Sequence, residues 1–510
     1  MLSLIVNGIA DACTLTNILL MFAGVFVGII FGSIPGLSTD LAVILFLPLT
    51  FNMTILPSIL LLLGVYCGGT YGGSISAILI GTPGTNVAAA TVFDGYPMAQ
   101  KGLARKALDM SLNASTISGI VSSLLLLFTA PFISKFVLNF GPPEYFCLAV
   151  FGITIIAGVS GNSLPRGIIM GCIGYFVSCI GIETNSGVSR FTFGNVFLMK
   201  GLGLLPVLLG IFALPNILNQ IYSRGYLNPP PKRNKLDKSN KLTSQEMRDC
   251  MPVIAKSTVI GSIIGAIPGA GASIAAFMAY NEAKRSSKQG HLFGTGVLDG
   301  VAAPEAANNA VTGTSLIPLF TLGIPGSVVA ALLIGAFTMQ GMTPGPTLFE
   351  TQSGLMYAIM IGMLLCNFAM FIEGKYLLKL FAQVSKVPQQ LLFTGLALFC
   401  LAGSFSSSNV IFDVYVLIVM GIVMYLLQRF GFPGAPFVLG IILGPLMESN
   451  LMNSLVMSEG SWLIFFQRPI SVVILIITVV FTTYSVAKTR SMKKSTAAQT
   501  GMSEEDVLED

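Results

Sequence analysis

The chain has 510 residues, of which 54% are hydrophobic and only 10% charged, against about 25% charged in an ordinary soluble domain. Its mean hydropathy is +0.82, and the formal net charge of +5 sits in a few hydrophilic loops. That composition excludes a soluble enzyme or a nucleic-acid binder and reads as an all-α polytopic membrane protein, with about 10–12 membrane segments.

The first hundred residues contain no Lys or Arg, so the basic n-region of a cleavable signal peptide is not expected. Within them, the apolar stretch Asn17–Thr50 is interrupted by "GSIPGLSTD" (Gly32–Asp40). Proline removes a backbone donor and glycine loosens a helix, so such a knot in lipid needs compensation. "LIGTPGTNVAAA" (Leu79–Ala90) follows, and then "DGYPMAQKG" (Asp94–Gly102), read as a turn at the cytoplasmic edge. Ser111–Ala130 is a lipid-length span. "GVSG" (Gly158–Gly161) offers a serine, but no histidine within a span is available to activate it. "PVLLGIFALP" (Pro206–Pro215) precedes the Pro-then-Lys segment "NPPPKRNKLDKSNK" (Asn228–Lys241).

Beyond that segment the motifs return in the same order. "GAIPGAGAS" (Gly265–Ser273) matches the first knot, "TLGIPGSVVAAL" (Thr321–Leu332) matches the "GTPG" stretch, and "PFVLGIILGP" (Pro436–Pro445) matches "PVLLGIFALP". Leu355–Ile372, Val410–Gln428 and Trp462–Tyr484 are further spans. Such repetition marks a duplication of the kind found in secondary transporters. The expected organisation is a first repeat over 1–222, a cytoplasmic basic linker over 223–250 and a second repeat over 251–460. An additional C-terminal transmembrane helix over 461–487 and a cytoplasmic tail over 488–510 complete the chain.

Positive charge sets orientation. The basic segments Lys101–Lys106, Arg224–Arg248, Lys284–Lys288, Lys375–Lys386 and Lys488–Lys494 are placed in the cytoplasm. In the first half the loop after the knot, "TFNMTILPS", is uncharged and the loop after "GTPG" is basic. In the second half "NEAKRSSK" after the knot is basic, and "GPTLFETQSG" after "GIPG" carries no positive charge. Equivalent loops therefore fall on opposite sides, which predicts an inverted-topology repeat. Pro252–Tyr280 lies between basic sequences, and at about 1.5 Å per residue it is too short for two crossings. A re-entrant or broken helix with "IPGAG" at its tip is expected, with Asn17–Thr50 entering from the other side; the alternative is a single kinked span. A broken helix frees N–H groups at the start of its second arm, beside the positive end of the dipole. Two knots and two "G-x-P-G" breaks near the midplane would make an anion cradle.

Enzyme signatures are sparse. There is no H-E-x-x-H, Walker A or G-x-S-x-G motif, the single histidine (His291) lies in a polar loop, and the eight cysteines are scattered with no C-x-x-C pair. The chain is not expected to be an enzyme, and no cofactor or metal is expected.

The stretches "GSIPGLSTDLAVILFLPLTF", "YGGSISAILIGTPG", "DGYPMAQKG", "APEAANNAVTGTSLIPLFTLGIPGS" and "LGIILGPLMESNL" together resemble the large membrane subunit of tripartite tricarboxylate transporters, the TctA family, along nearly the whole length. The resemblance implies uptake of a di- or tricarboxylate across the bacterial inner membrane by symport, driven by Na+ or H+. It also implies two partners, a small membrane subunit and a periplasmic solute-binding protein. Family members usually carry "IPGLG" at the first knot, so the "IPGLS" of this chain adds a hydroxyl at Ser38.

A carboxylate substrate calls for donors. The candidates are Gly36, Ser38, Thr39, Gly84, Thr85 and Asn86 at the first pair of breaks. Gly269, Gly271, Ser273, Gly326 and Ser327 are the candidates at the second pair. For ion coupling the candidates are Glu305, Asn308 and Asn309 in "VAAPEAANNAV", because a membrane acid far from any Lys or Arg is costly unless it has a task. The competing reading makes Glu305 a helix-start carboxylate after Pro304. Asp40 is either a further cation ligand or the cap of the arm that follows the first knot. The alternative function is a passive channel, or a carrier for another small solute.

Overall fold

Helices account for most of the computed structural model, which describes residues 2–159, 164–183, 186–222, 240–269, 271–384 and 389–483. The order opens with α1 (Leu2–Ala12), α2 (Leu15–Gly32), α3 (Thr39–Phe46), α4 (Ile55–Ile80), α5 (Val92–Gln100) and α6 (Ala104–Val137). Next come α7 (Pro142–Val159), α8 (Leu164–Ser178), α9 (Leu204–Leu208) and α10 (Leu214–Tyr222), the last two joined by a π-turn over Leu209–Ala213. The second half of the sequence contributes α11 (Ser244–Ala266), α12 (Ala272–Ser286), α13 (Leu298–Thr314), α14 (Leu316–Leu322), α15 (Val328–Met339) and α16 (Pro346–Thr351). It ends with α17 (Ser353–Tyr376), α18 (Leu378–Val384), α19 (Gln389–Ser408), α20 (Ile411–Arg429), α21 (Gly434–Met457) and α22 (Ile464–Gln467), before a last apolar helix, Pro469–Thr483. Among the described residues the strands are β1 (Gly181–Ile182) and β2 (Ser189–Arg190), an antiparallel ladder.

Eight of the described helical segments are long and apolar enough to cross a membrane, and six shorter apolar ones accompany them. This is the all-α polytopic architecture that the composition predicts.

Two compact units form, Met1–Leu138 with Gly203–Ile422, and Asn139–Leu202 with Val423–Asp510. Each draws on both halves of the sequence. Both knots and both "G-x-P-G" breaks belong to the first unit.

Inside the first unit the helices approach closely because small residues line their seams. Lipid provides no hydrophobic drive between spans, so close van der Waals packing has to supply it. On α2 and α4 glycines interleave: a methyl group on Gly28 would stand 2.4 Å from the Val65 carbonyl oxygen, and one on Gly68 only 2.3 Å from that of Val25. The α11–α13 seam is built alike, with Gly261 2.3 Å in the same sense from the Ala307 carbonyl oxygen. In the second unit α21 packs on α7 and α8. Two ion pairs also occur there, Arg190 with Glu448 and Arg468 with Glu144.

Several sequence expectations change in detail. "DGYPMAQKG" is a helix, α5, with a turn only at Lys101–Gly102. Its Asp94 accepts bonds from distant backbone, which holds the segment in helical form. α11 starts at Ser244, inside the expected linker, because Thr243 and Glu246 make a reciprocal capping box. Residues 223–239 of that linker lie outside the described residues. The Trp462–Tyr484 span is broken at Arg468, whose φ −93° and ψ 121° are the extended values imposed on a residue before proline. Ser160 and Gly161 of "GVSG", the end of the C-terminal helix from 484 and the tail also lie outside the described residues.

Candidate functional site

Each break forms where its residues remove helix bonds and allow a left-handed turn. In the first half, α2 ends at Gly32 and the chain turns through Gly36 (φ +91°), which is exposed with open space around its Cα. Ser38 restarts the helix, its hydroxyl accepting from Leu41 N–H at 3.1 Å as N-cap of α3. Asp40 lies in the first turn of α3, so the cap is Ser38 and not Asp40. α4 ends on Gly81 (φ +71°, ψ 12°) ahead of Pro83, and Gly84 folds back to donate to the Gly73 carbonyl at 3.2 Å.

The second half repeats the geometry. α14 ends on Gly323 (φ +71°, ψ 14°) ahead of Pro325, and Ser327 caps α15 by accepting from Ala330 N–H at 3.1 Å. The knot between α11 and α12 turns at Gly269 (φ +78°) and Gly271 (φ +76°). Ser273 sits half-buried in the first turn of α12.

Within each half the knot meets the break. A methyl group on Gly84 would lie 1.8 Å from the Gly32 carbonyl oxygen, and Gly269 N–H donates to the Gly326 carbonyl at 3.0 Å. Contacts then cross between halves: α3 packs on α15, and α12 packs on the short 3-10 turn Asn86–Ala88. The Tyr66 hydroxyl of α4 lies 3.2 Å from Ser315 Oγ and 3.5 Å from Ser327 Oγ. The four breaks are thus linked by contacts within and between the halves. Asn86 is exposed at this junction, while Thr39 and Thr85 are buried with hydroxyl oxygens that no group among the described residues pairs.

Glu305 is fully buried in α13. Pro304 lies inside that helix, which begins at Leu298, so Glu305 is not a helix-start carboxylate. Its partners are side chains. Thr91, just ahead of α5, donates to Oε1 at 2.5 Å and Ser115 of α6 donates to Oε2 at 3.1 Å. The Asn309 amide nitrogen reaches Ser115 Oγ at 2.8 Å and Asn308 Oδ1 at 2.5 Å. Asn308 Nδ2 and Asn309 Oδ1 remain buried and unpaired. Glu305, Asn308 and Asn309 therefore belong to one polar network. Among the described residues no ion pair reaches Glu305, and no hydrogen bond joins Asp40 to this network.

The sequence reading missed Thr91, Ser115, Tyr66 and Ser315. One signal was available for Ser115: Ser111, Ser115, Ser118 and Ser122 recur at helical spacing on a lipid-length span, the mark of a face turned to the bundle interior. Tyr71, with an unpaired buried hydroxyl, and Glu373, with an unpaired buried Oε2, were missed as well.

This arrangement supplies backbone donors at helix restarts, hydroxyls and a buried acid. A family model described as "Tripartite tricarboxylate transporter TctA family" matches residues 18–439. A protein of Agrobacterium vitis described as an uncharacterized 52.8 kDa protein in the TAR-I ttuC' 3'region is 36% identical over 474 residues, covering 92% of this chain and 94% of its own. A second uncharacterized protein of that organism, in the TAR-II ttuC' 3'region, is 42% identical over 211 residues, 41% of this chain and 87% of its own. No solved structure matches.

Proposed function

The chain belongs to the tripartite tricarboxylate transporter TctA family, and from that premise we propose that it is the large permease subunit of a binding-protein-dependent secondary transporter. It takes up tricarboxylates or related acids through the bacterial inner membrane using a gradient of Na+ or H+. A small membrane subunit and a periplasmic binding protein complete the assembly. The observation that carries the reading is the set of contacts that links the four helix breaks. Free N–H groups at α3 and α12, the positive ends of those arms and the hydroxyls of Thr39, Thr85 and Ser327 suit an anion. Glycines 36, 84, 269, 271 and 326 let it come close to the backbone.

Coupling is assigned to Glu305. A cation or proton arriving there neutralises a buried charge and changes what Thr91 and Ser115 bond to. Thr91 lies a few residues past Thr85, so the change passes along one short segment to the substrate breaks. Asn308 and Asn309 supply amide oxygens to the same site, and Asp40 is a second cation ligand at the mouth of α3.

Uptake of labelled citrate and related acids into proteoliposomes, with binding protein and imposed gradients varied, tests the function. Accumulation that needs both is expected, and gradient-independent equilibration would replace symport by a passive pore. The inverted repeat is tested separately. Cysteines placed at Lys284 and Thr50 are expected to react from opposite faces of sealed vesicles, and labelling from one face would refute it.

A further inference from the structure

The two halves of the sequence use their break hydroxyls differently. Laying "IPGLSTD" on "IPGAGAS" pairs Thr39 with Ala272, and laying "GTPGTN" on "GIPGSV" pairs Thr85 with Ser327. In the second half Ala272 carries no hydroxyl, and Ser327 Oγ already has protein partners, accepting from the Ala330 amide at 3.1 Å and lying 3.5 Å from Ser315 Oγ. In the first half both hydroxyls are present and unpaired among the described residues, although Thr39 is only 7% exposed and Thr85 only 5%. Burying a hydroxyl with no partner is unfavourable. The first half does so twice.

Both side chains rest on one glycine face of α4. A methyl group on Gly69 would stand 2.7 Å from Thr39 Cγ2 and 3.0 Å from its Oγ1, and one on Gly73 would stand 2.1 Å from Thr85 Oγ1. Any larger residue there would push the hydroxyls away. Gly69 and Gly73 are one turn apart, about 6 Å along the helix axis. Two hydroxyls seated one turn apart can each take a different carboxylate group of a di- or tricarboxylate, whereas a monocarboxylate engages one hydroxyl only.

We propose that Thr39 and Thr85, seated on Gly69 and Gly73, form a two-hydroxyl subsite of the first half that selects acids bearing at least two carboxylate groups. Gly69 and Gly73 are its positioning residues. The subsite rests on the carboxylate-transport reading above and adds to it which half recognises the substrate and by what.

The test is equilibrium binding of succinate and acetate to the purified full-length protein in detergent, with melting temperature recorded without ligand. Wild-type protein is expected to prefer succinate. Thr39→Val and Thr85→Val each keep the shape and remove the donor. Each should lower succinate affinity about tenfold, the equivalent of one good hydrogen bond to an ionised group. Acetate affinity should move much less, because the other hydroxyl remains. The melting temperature should hold or rise, since an unpaired polar group has been removed; Thr→Ser at either site should keep the preference. Gly73→Ala is a second route, which retains the Thr85 hydroxyl but displaces it, and it should lose the preference as Thr85→Val does. Valine and Gly73→Ala variants that bind succinate like wild type overturn the subsite, as does an equal loss for both acids. Wild-type protein that binds neither acid overturns the transport reading itself, and the subsite with it.

Discussion

Asp94 and Glu305 are both sealed from solvent, and the fold treats them in opposite ways. Asp94 accepts from the backbone N–H groups of Gly294 at 3.0 Å, Gly296 at 2.8 Å and Val297 at 3.0 Å, and from the Tyr280 hydroxyl at 2.8 Å. Backbone amides only donate, so these three partners cannot reverse. Asp94 ties α5 to the chain that follows α12. Glu305 has hydroxyls in place of amides, from Thr91 and Ser115. A hydroxyl donates to a carboxylate or turns its oxygen to a cation. Two buried acids in one unit thus differ in whether their partners can reverse.

The largest effect is expected from breaking the fixed acid. Asp94→Ala removes the buried acceptor of three backbone N–H groups, that of Val297 itself buried, and of the Tyr280 hydroxyl, which costs about 3 kcal/mol. The variant should fail to accumulate or melt far below wild type in detergent. A variant of normal stability would remove the contrast with Glu305.

Glu305→Gln comes next and should act on transport rather than on folding. The isostere removes a costly buried charge, so the melting temperature is expected to hold or rise. Gradient-driven accumulation should fall by about tenfold or more, while substrate exchange across the vesicle is less affected. Normal concentrative uptake would leave Glu305 a structural carboxylate.

Ser115→Ala sharpens the comparison from the partner's side. It deletes a donor to Glu305 and a hydroxyl that Asn309 reaches, for a stability loss of about 1 kcal/mol. The dependence of uptake on the coupling ion should weaken by a few fold, read as a shift in half-saturating ion concentration. No shift would mean that the hydroxyl shell is passive.

The smallest effect belongs to a carboxylate at the periphery. Lys106 pairs with Glu246 at 2.6 Å, both side chains partly exposed. Lys106→Ala should cost well under about 1 kcal/mol in thermal melts, because water screens such pairs. A loss as large as that of Asp94→Ala would show that exposure does not rank these acids.

The breaks were legible because glycine and proline act on the backbone where they stand. Gly81 and Gly323 adopt nearly the same left-handed geometry from matching "G-x-P-G" stretches. Glu305 was legible as an acid in a long stretch free of basic residues. Thr91 and Ser115 were not, since hydroxyls are common in membrane helices and these lie about two hundred residues away in sequence. Asp94 read as part of a turn because its donors belong to Gly294–Val297, which no local pattern links to it. The start of α11 was readable in "TSQE" (Thr243–Glu246), yet the basic composition around it masked the capping box.

The sequence by itself determined the membrane class, the family, the places where helices must break and the acid that lacks a counter-charge. These follow from composition, local backbone chemistry and the energetics of a lone charge in lipid. Only the tertiary structure decided that each knot meets the break of its own half, and that Thr39 and Thr85 are buried without a partner among the described residues while Ser327 accepts from the Ala330 amide. It also decided that Glu305 faces hydroxyls while Asp94 faces amides. Those outcomes depend on which helices share a seam, and in lipid that choice rests on close packing of small residues spread along the whole chain.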